Sequence, residues 1–335
     1  MGPSLTGPQL EHRSSQERAA GPVALAIDFG GTKVEAALVD ADGQLLDRSR
    51  HRRPTGRNAS SDELAAAVVD VARHALAAMP SGAPLLGAGI GSAGPIDDVE
   101  GTVSPVNLPA WRSFPLRDLV RSVVSDQSDQ SDQVTNPGVI LATDGLACAL
   151  AEHWVGAGKG VANMMGMVIS TGVGGGLILG GRAIHGVTGN AGHIGHIEVK
   201  ALDGESPGHP GTLEAVASGP HSVAWARRHG WTGTTGEDLA RDYERGDEVA
   251  RAAITRAGTA IGQAIASAAA LLDLELVVVG GGFSEATPDL FRFIRETVAS
   301  HDFEFVRKVR VVPSSLSGAG PRIGAAALVH QPQPG

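Results

Sequence analysis

The sequence predicts an α/β protein in which two similar domains face each other across a cleft. A strand-like run, a glycine-rich turn and a second strand-like run occur near the N-terminus, around Asp28, and again in the middle of the chain, around Thr171. A third apolar strand, at residues 274–279, runs into three consecutive glycines. Ligands collect at the carboxyl ends of strands in α/β sheets, so each glycine segment is a candidate binding loop.

The first hairpin joins apolar runs at residues 23–27 and 34–39 through the turn GGTK, and a further strand is predicted at residues 44–48. A glycine turn exposes backbone N–H groups and leaves room for a phosphate oxygen. The triplet Asp-Phe-Gly at residues 28–30 also occurs in protein kinases. There it lies deep in the chain after a His-Arg-Asp loop, which this sequence lacks. An ordinary glycine hairpin is the alternative interpretation.

The second hairpin reads "MMGMVISTGVGGGLILGG" and has the same layout of strand, glycine turn and strand. Two such hairpins about a domain apart predict two phosphate loops that face one cleft. Chance recurrence in a chain with 46 glycines is the alternative. The third segment, "VVVGGG", resembles a degenerate dinucleotide fingerprint, but its spacing is not Gly-x-Gly-x-x-Gly.

Composition limits the class of protein. The 335 residues suffice for two domains, and 42% apolar with 19% charged residues is typical of a globular protein. The net charge of −9 disfavours nucleic-acid binding, and no apolar run is long enough to span a membrane. A single cysteine fits a reducing, cytoplasmic location. Residues 1–21 are predicted to be a disordered tail, and the repeat "SDQSDQSDQ" at residues 125–133 a mobile surface insertion.

Together these motifs resemble the ROK family of sugar kinases and related regulators, within the actin-like ATPase and hexokinase superfamily. The matching segments are "DFGGTK", "GIGSAGPIDDVEGTVSPVNLPAW", "ATDGLACALAEHWVGAG", "STGVGGGLILGG", "GNAGHIGHIEV", "GTLEAVASG" and "VVVGGG". The resemblance implies two actin-like (ribonuclease H-like) domains, at residues 22–142 with a returning helix at 318–332, and at residues 143–317. The polar tail is too short for the DNA-binding domain of the regulators, which favours the kinase branch.

The resemblance also implies ATP and Mg²⁺ as the nucleotide and the metal. Asp28 matches the first-loop Asp that orients Mg²⁺ and its waters. The remaining nucleotide-binding candidates are Gly30, Gly31, Thr32, Lys33, Thr171, Gly172, Gly174, Gly281 and Gly282. For Lys33 the alternative is a solvated hairpin lysine.

Asp144 is the candidate general base, because it lies where a strand-like run feeds a helix and phosphoryl transfer to an alcohol needs a base aligned with the hydroxyl. A simple helix N-cap at Thr143-Asp144 is the alternative. The candidates for binding the polyol acceptor are Gly94, Asn107, Thr143, His193, His196 and Glu214. The alternative for Asn107 is an ordinary turn residue. The alternative for Glu214 is an acidic residue that only stabilises the first turn of a helix.

Two departures from the family pattern concern the acceptor side. In the usual zinc region, Glu205, Pro207 and Thr212 stand at the three cysteine positions, so no structural zinc is expected. The family's usual Glu-x-Gly-His reads His-x-Gly-His here, which replaces with His193 a carboxylate expected to accept hydroxyls at C1 and C2 of the sugar. Thr143 also replaces a frequent Asn.

We therefore expect a kinase for the primary hydroxyl of a hexose-like polyol other than plain glucose. A donor at His193 would favour a keto group, as in the C7-cyclitol 2-epi-5-epi-valiolone, and the amino sugar kanosamine is a second candidate, so the chain resembles ROK kinases of secondary metabolism. Ordinary glucokinase and a non-catalytic sugar sensor are the alternatives. The family resemblance further implies a homodimer.

Overall fold

The computed structural model describes residues 21–128, 138–199 and 211–331. The predicted tail up to residue 20, residues 129–133 of the repeat and residues 205–210 of the zinc-region stretch lie outside these ranges. The first residues of the repeat continue a helix that ends at Ser128. Within the described residues, no helix combines the length and apolarity needed to cross a membrane.

The strands are, in chain order, β1 (Val23–Phe29), β2 (Lys33–Asp40), β3 (His51–Pro54), β4 (Leu85–Ser92), β5 (Ile96–Asp97), β6 (Thr102–Val103), β7 (Gly138–Thr143), β8 (Met164–Ile169), β9 (Val173–Leu179), β10 (Arg182–Ala183), β11 (Leu276–Gly280) and β12 (Arg310–Pro313). The α-helices are α1 (Ser61–Ala77), α2 (Leu116–Ser128), α3 (Asp144–Trp154), α4 (Leu213–Ala217), α5 (Gly219–Arg228), α6 (Gly236–Arg245), α7 (Glu248–Leu272), α8 (Pro288–Ala299), α9 (Glu304–Arg307) and α10 (Gly320–His330).

Two sheets repeat one topology. Among the described strands the first sheet has the order β3-β2-β1-β4-β7 and the second the order β10-β9-β8-β11-β12. In each, the glycine hairpin is antiparallel, a third strand (β4 or β11) pairs in parallel with the first strand of the hairpin, and an outer strand (β7 or β12) pairs in parallel with that third strand. The predicted pair of similar α/β units, each opened by a glycine hairpin, is therefore confirmed.

The helices form layers around the sheets. Helices α1 and α2 cover one face of the first sheet with an apolar core, and α4 to α8 cover one face of the second. Helices α3 and α10 lie between the sheets, so the chain end returns to β1 and β4. The domain limits at residues 142, 143 and 318 remain a prediction.

The predicted strand at residues 44–48 is wrong. Leu45 forms only an isolated antiparallel bridge to Val39, Asp47–Ser49 is a 3₁₀ turn, and continuous pairing with β2 begins at His51, opposite Ala36. The Ser49 side chain accepts a hydrogen bond from the Leu38 N–H at 2.7 Å. A side chain therefore takes the place that a strand carbonyl would have filled, and the ladder starts one turn later.

Close contacts in the central layer require glycine. A Cβ atom at Gly324 of α10 would lie 1.7 Å from the Ala147 carbonyl oxygen of α3, and one at Gly89 of β4 would lie 1.7 Å from the Ala325 carbonyl oxygen. These glycines let α10 pack directly on α3 and on the first sheet. Since Asp144 is the first residue of α3, this packing also fixes the position of the candidate base.

We expect Gly324→Ala to lower the free energy of unfolding by about 1–3 kcal/mol or more, because a methyl group cannot fit without separating two helices. Gly320→Ala is the matched control in the same helix, since its Cβ would meet the Leu316 Cβ at an ordinary 3.8 Å. Urea unfolding of both variants measures the difference. Equal stability of the two variants would contradict the proposed close packing.

Candidate active site

The first glycine turn joins β1 to β2 and is held by a residue that sequence reasoning missed. The Gly30 N–H donates to the Lys33 carbonyl at 2.9 Å, which closes the turn. Thr55, directly after β3, donates its hydroxyl to the Gly30 carbonyl at 2.8 Å and its N–H to the Thr32 carbonyl at 2.9 Å. No local motif marks Thr55, because its partners come from a different hairpin.

Lys33 extends from this turn and is anchored. Its Nζ donates to Glu35 Oε2 at 3.0 Å, and Glu35 is fully buried while the Lys33 side chain is 40% exposed. The ammonium group is therefore held at the turn rather than freely solvated. Beside the turn lies Asn107, whose Cβ would be 3.2 Å from a Cβ at Gly31.

The second glycine turn is bound to Glu214. The Val173 N–H donates to Glu214 Oε2 at 2.9 Å, and a Cβ at Gly172 would lie 2.7 Å from the same oxygen. Helix α4 presents this carboxylate in its first turn, after Thr212 caps the helix by accepting from the Ala215 N–H. The helix-acid interpretation of Glu214 and its place at the site are thus compatible. Thr171 is exposed at the tip of the turn.

Asp144 begins α3 at the end of β7. Its Oδ1 accepts from the Gly145 N–H at 2.7 Å and would lie 4.0 Å from a Cβ at Gly174, so the carboxylate faces the second turn. Thr143 is the N-cap, and its hydroxyl accepts from the Leu146 N–H at 3.3 Å. Thr143 is 2% exposed, so the structure gives it a capping role, and its contact with an acceptor remains a prediction.

The predicted acceptor side brings His193 against the loop after β4. A Cβ at Gly94 would lie 3.1 Å from His193 Cε1 and 3.2 Å from Nε2, so the ring packs closely against a glycine of the first half. His193 Nε2 lies 3.3 Å from Asn190 Oδ1. The rings of His193 and His196 meet edge to face with their centroids 5.9 Å apart. Asn190 is a second residue that sequence reasoning missed.

The third glycine segment follows β11. Gly281 has φ +96° and a Cβ there would lie 2.5 Å from the Ile169 carbonyl oxygen, whereas a Cβ at Gly282 would meet nothing within 4 Å. A conformation with positive φ against backbone requires glycine at the first position, and the second leaves open space at the end of the sheet. The role of Gly281 and Gly282 in binding the nucleotide remains a prediction.

Comparison with known proteins identifies the family of this chain. The ROK family profile matches residues 24–332. The chain belongs to the ROK family. A glucokinase from Halalkalibacterium halodurans is 31% identical over 291 residues, which cover 81% of this chain and 84% of that protein. An N-acetylmannosamine kinase from Escherichia coli is 35% identical over 264 residues, which cover 77% and 82%.

Two ROK structures have the same fold. A ROK hexokinase from Thermus thermophilus superimposes with a TM-score of 0.75 at 28% identity, over 92% of this chain and 98% of that one. A ROK glucokinase from Streptomyces griseus, in complex with glucose and AMPPNP, gives 0.74 at 28% identity over 92% and 99%. The predictions of an actin-like kinase fold and of a ROK sugar kinase are confirmed.

The carboxylates of this ROK protein suit a cation. Burial raises the pKa of Asp28 to about 7, with the charge of Asp144 raising it further and Lys33 and Arg322 opposing. Burial also raises the pKa of Asp144 to about 6, against the hydrogen bond from the Gly145 N–H. Two desolvated carboxylates that repel each other are a donor set that a hard divalent cation would neutralise. Mg²⁺ at Asp28 therefore fits, and remains a prediction.

The described residues include only part of the region in which the family usually binds zinc. Within residues 21–128, 138–199 and 211–331, no group of three or more His, Cys, Asp or Glu side chains is placed to hold a metal. The predicted substitutions Glu205 and Pro207 lie outside the described residues, whereas Thr212 is the N-cap of α4. The Thr212 hydroxyl caps α4, so the helix itself fixes this end of the loop.

Proposed function

We propose that this ROK protein transfers the γ-phosphoryl group of ATP to the primary hydroxyl of a hexose-like polyol, with Asp144 as the general base. The observation that carries the proposal is the position of the Asp144 carboxylate. It faces Gly174 of the second glycine turn, and its charge raises the pKa of Asp28, which lies in β1 just before the first glycine turn. A base between two phosphate loops is the arrangement that in-line transfer to an alcohol needs.

Each turn has a separate task. The N–H groups around Thr32 and Gly172 and the anchored ammonium of Lys33 receive phosphate oxygens, and Gly281 and Gly282 leave room for the adenosine. Asp144 takes the hydroxyl proton as the new oxygen–phosphorus bond forms and the bond to ADP breaks. Mg²⁺, held through Asp28, supplies charge neutralisation when bound. Asn107, His193, His196 and Glu214 orient the polyol.

The acceptor we propose is an uncharged hexose-type polyol other than plain glucose. Burial lowers the pKa of His193, and the charge of His196 lowers it further, so the ring is neutral where the family usually has a carboxylate. A neutral ring is a poor partner for the ammonium of kanosamine. A keto-cyclitol would need a ring N–H, yet Nε2 faces Asn190 Oδ1 instead. N-acetylmannosamine, the substrate named for relatives 35% identical, is the first acceptor to test.

A coupled ADP-release assay tests this function. The acceptor panel contains N-acetylmannosamine, glucose, kanosamine and 2-epi-5-epi-valiolone, each with ATP and Mg²⁺. Turnover of at least one acceptor, with glucose not the best, supports the proposal. Glucose as the best acceptor would establish the glucokinase alternative. Sugar binding by calorimetry without any ADP release would favour the non-catalytic sensor. The homodimer, implied by the family resemblance, and the cytoplasmic location, expected from the single cysteine, stay predictions.

Activity is expected to be lost as the pH falls through about 6. The base must be ionised to accept a proton, and burial raises the pKa of Asp144 to about 6. Below that pH, kcat/KM for the acceptor should fall about tenfold per pH unit while the far-ultraviolet spectrum stays unchanged. Because Asp28 is coupled to Asp144, the midpoint belongs to the pair. An acid limb near the ordinary carboxyl value of 3.8 would contradict the assigned base.

His193→Glu should change the preference among acceptors rather than the chemistry. The variant restores the carboxylate that the family pattern predicts to bind the C1 and C2 hydroxyls of glucose. We expect kcat/KM for glucose, relative to the best native acceptor, to rise roughly ten- to a hundredfold. The same panel assay measures the ratio. If all acceptors change by one common factor, His193 affects stability alone and the glucokinase alternative gains support.

A further inference from the structure

The Asn190 side chain bridges the two halves of the molecule. Its Oδ1 accepts from the Ile96 N–H at 3.0 Å and its Nδ2 donates to the Ile96 carbonyl at 2.6 Å. Ile96 begins β5 in the loop that contains Gly94, whereas Asn190 lies in the loop between β10 and His193. The amide thus pairs with a backbone as a neighbouring strand would.

This pairing fixes which amide atom is which. The Ile96 N–H requires an acceptor and the Ile96 carbonyl requires a donor, so the amide cannot be reversed. The second Nδ2 hydrogen is taken by Thr188, whose carbonyl and hydroxyl oxygens both lie 3.0 Å away. The atom that faces His193 Nε2 is therefore an oxygen, which only accepts.

The consequence falls on the imidazole ring. Since Asn190 Oδ1 accepts, His193 Nε2 must carry the proton of the hydrogen bond between them. In a neutral ring the other nitrogen, Nδ1, is then an unprotonated acceptor, and it has no hydrogen-bond partner among the described residues. An acceptor nitrogen without a partner among the described residues matches a hydroxyl donor on the substrate.

We propose that Asn190 is a positioning residue that holds His193 as the Nε2–H tautomer, so that Nδ1 accepts a hydrogen bond from an acceptor hydroxyl at the C1–C2 end of the ring. The histidine then performs the accepting role of a carboxylate without its charge. This inference rests on the proposed function. It adds that the hydroxyl must donate at this position.

The tautomer is tested first, without turnover. Protein labelled with ¹⁵N histidine, with the His193 signals assigned through His193→Gln, should show Nε2 protonated and Nδ1 bare at neutral pH. Thr188→Val is the matched control, since it removes one partner of the same amide and leaves Oδ1 in place. The control should keep the wild-type pattern. A wild-type ring protonated at Nδ1 instead would overturn the proposal, whatever the activity.

Asn190→Asp provides the opposite change. A carboxylate still accepts from the Ile96 N–H and from His193, but its charge favours the doubly protonated ring, whose Nδ1 then donates. Acceptor analogues with fluorine in place of the C1 or C2 hydroxyl distinguish the two states, because fluorine cannot donate. Wild type and Thr188→Val should prefer the hydroxyl compound over one fluoro analogue roughly ten- to a hundredfold in kcat/KM.

In Asn190→Asp that preference should shrink by about tenfold or more, mainly through KM, with Nδ1 seen protonated by NMR. An unchanged hydroxyl-to-fluorine ratio together with a protonated Nδ1 would overturn the specificity role. Where no polyol is phosphorylated at all, the proposed function fails, yet the NMR result still decides the tautomer. If Asn190→Asp does not fold, Asn190→Ala is used, and it should give a mixture of tautomers.

Discussion

Asp144→Asn is expected to lower kcat by ~10²–10⁴ while the KM for the acceptor changes little, because an amide keeps the shape and the bond from the Gly145 N–H but cannot take a proton. The coupled ADP assay with saturating ATP measures both constants. Asn107→Ala is a useful comparison, since loss of an orienting contact should act chiefly on KM. Near-normal kcat in Asp144→Asn would remove this residue from the mechanism.

Thermal unfolding separates catalysis from folding in this variant. The folded pKa of Asp144 is raised above its ordinary value of 3.8 to about 6, so the folded protein holds the proton more tightly than the unfolded chain. The stabilising contribution of this group is complete below pH 3.8 and is lost as the pH rises through about 6. Asp144→Asn should therefore match or exceed the wild-type melting temperature at pH 8. A lower value there would trace the lost activity to damaged structure.

The sequence predicted those parts of the site that local signals determine. The two hairpins and the place of the candidate base at the start of α3 are marked by glycine turns, apolar runs and a cap residue within a few positions of one another. The predicted third strand failed because Ser49, from a later turn, bonds the Leu38 N–H. Strand propensities do not take into account that a side-chain hydroxyl can compete with a strand carbonyl for the same backbone N–H.

The residues that were missed have distant partners. Asn190 is 94 positions from Ile96, and Thr55 is 25 positions from Gly30. A single asparagine or threonine in a loop has many possible roles, and only the fold selects one. The choice of tautomer at His193 therefore could not be inferred from the sequence "HIGH", although the departure from the family pattern at that position could.

A buried ionic cluster next to the first turn was also not predicted from the sequence. Its removal is expected to have the second large effect, on the free energy of unfolding. Glu35 on β2 binds Arg322 of α10 and Arg50, and accepts from Lys33 at 3.0 Å. Both Glu35 and Arg322 are buried. Burial alone would raise the pKa of Glu35, but the hydrogen bonds from Arg50 and Lys33 and the charge of Arg322 lower it. Folding thus depends on an ionised carboxylate between cations.

Glu35→Ala is expected to destabilise the protein by about 3–5 kcal/mol, because it leaves the Arg322 guanidinium buried with only the Gly318 carbonyl as a hydrogen-bond partner among the described residues. The double variant Glu35→Leu/Arg322→Met should recover much of that loss, since an apolar pair of similar volume removes both charges. Urea unfolding of the wild type, both single variants and the double variant forms a double-mutant cycle, which gives the interaction energy between Glu35 and Arg322. Asp118→Ala, which breaks an exposed pair with Arg121, should cost under about 1 kcal/mol.

The cluster would link stability to the proposed nucleotide binding by Lys33, because Glu35 holds both α10 and the Lys33 ammonium at the turn. In the double variant the fold is restored while Lys33 stays without its anchor, so the KM for ATP should remain raised although the melting temperature recovers. Recovery of both properties together would show that Lys33 needs no anchor. Glu35→Ala as stable as Asp118→Ala would show that water or the nearby Asp28 carboxylate compensates the Arg322 charge, and the buried pair would then have no structural role.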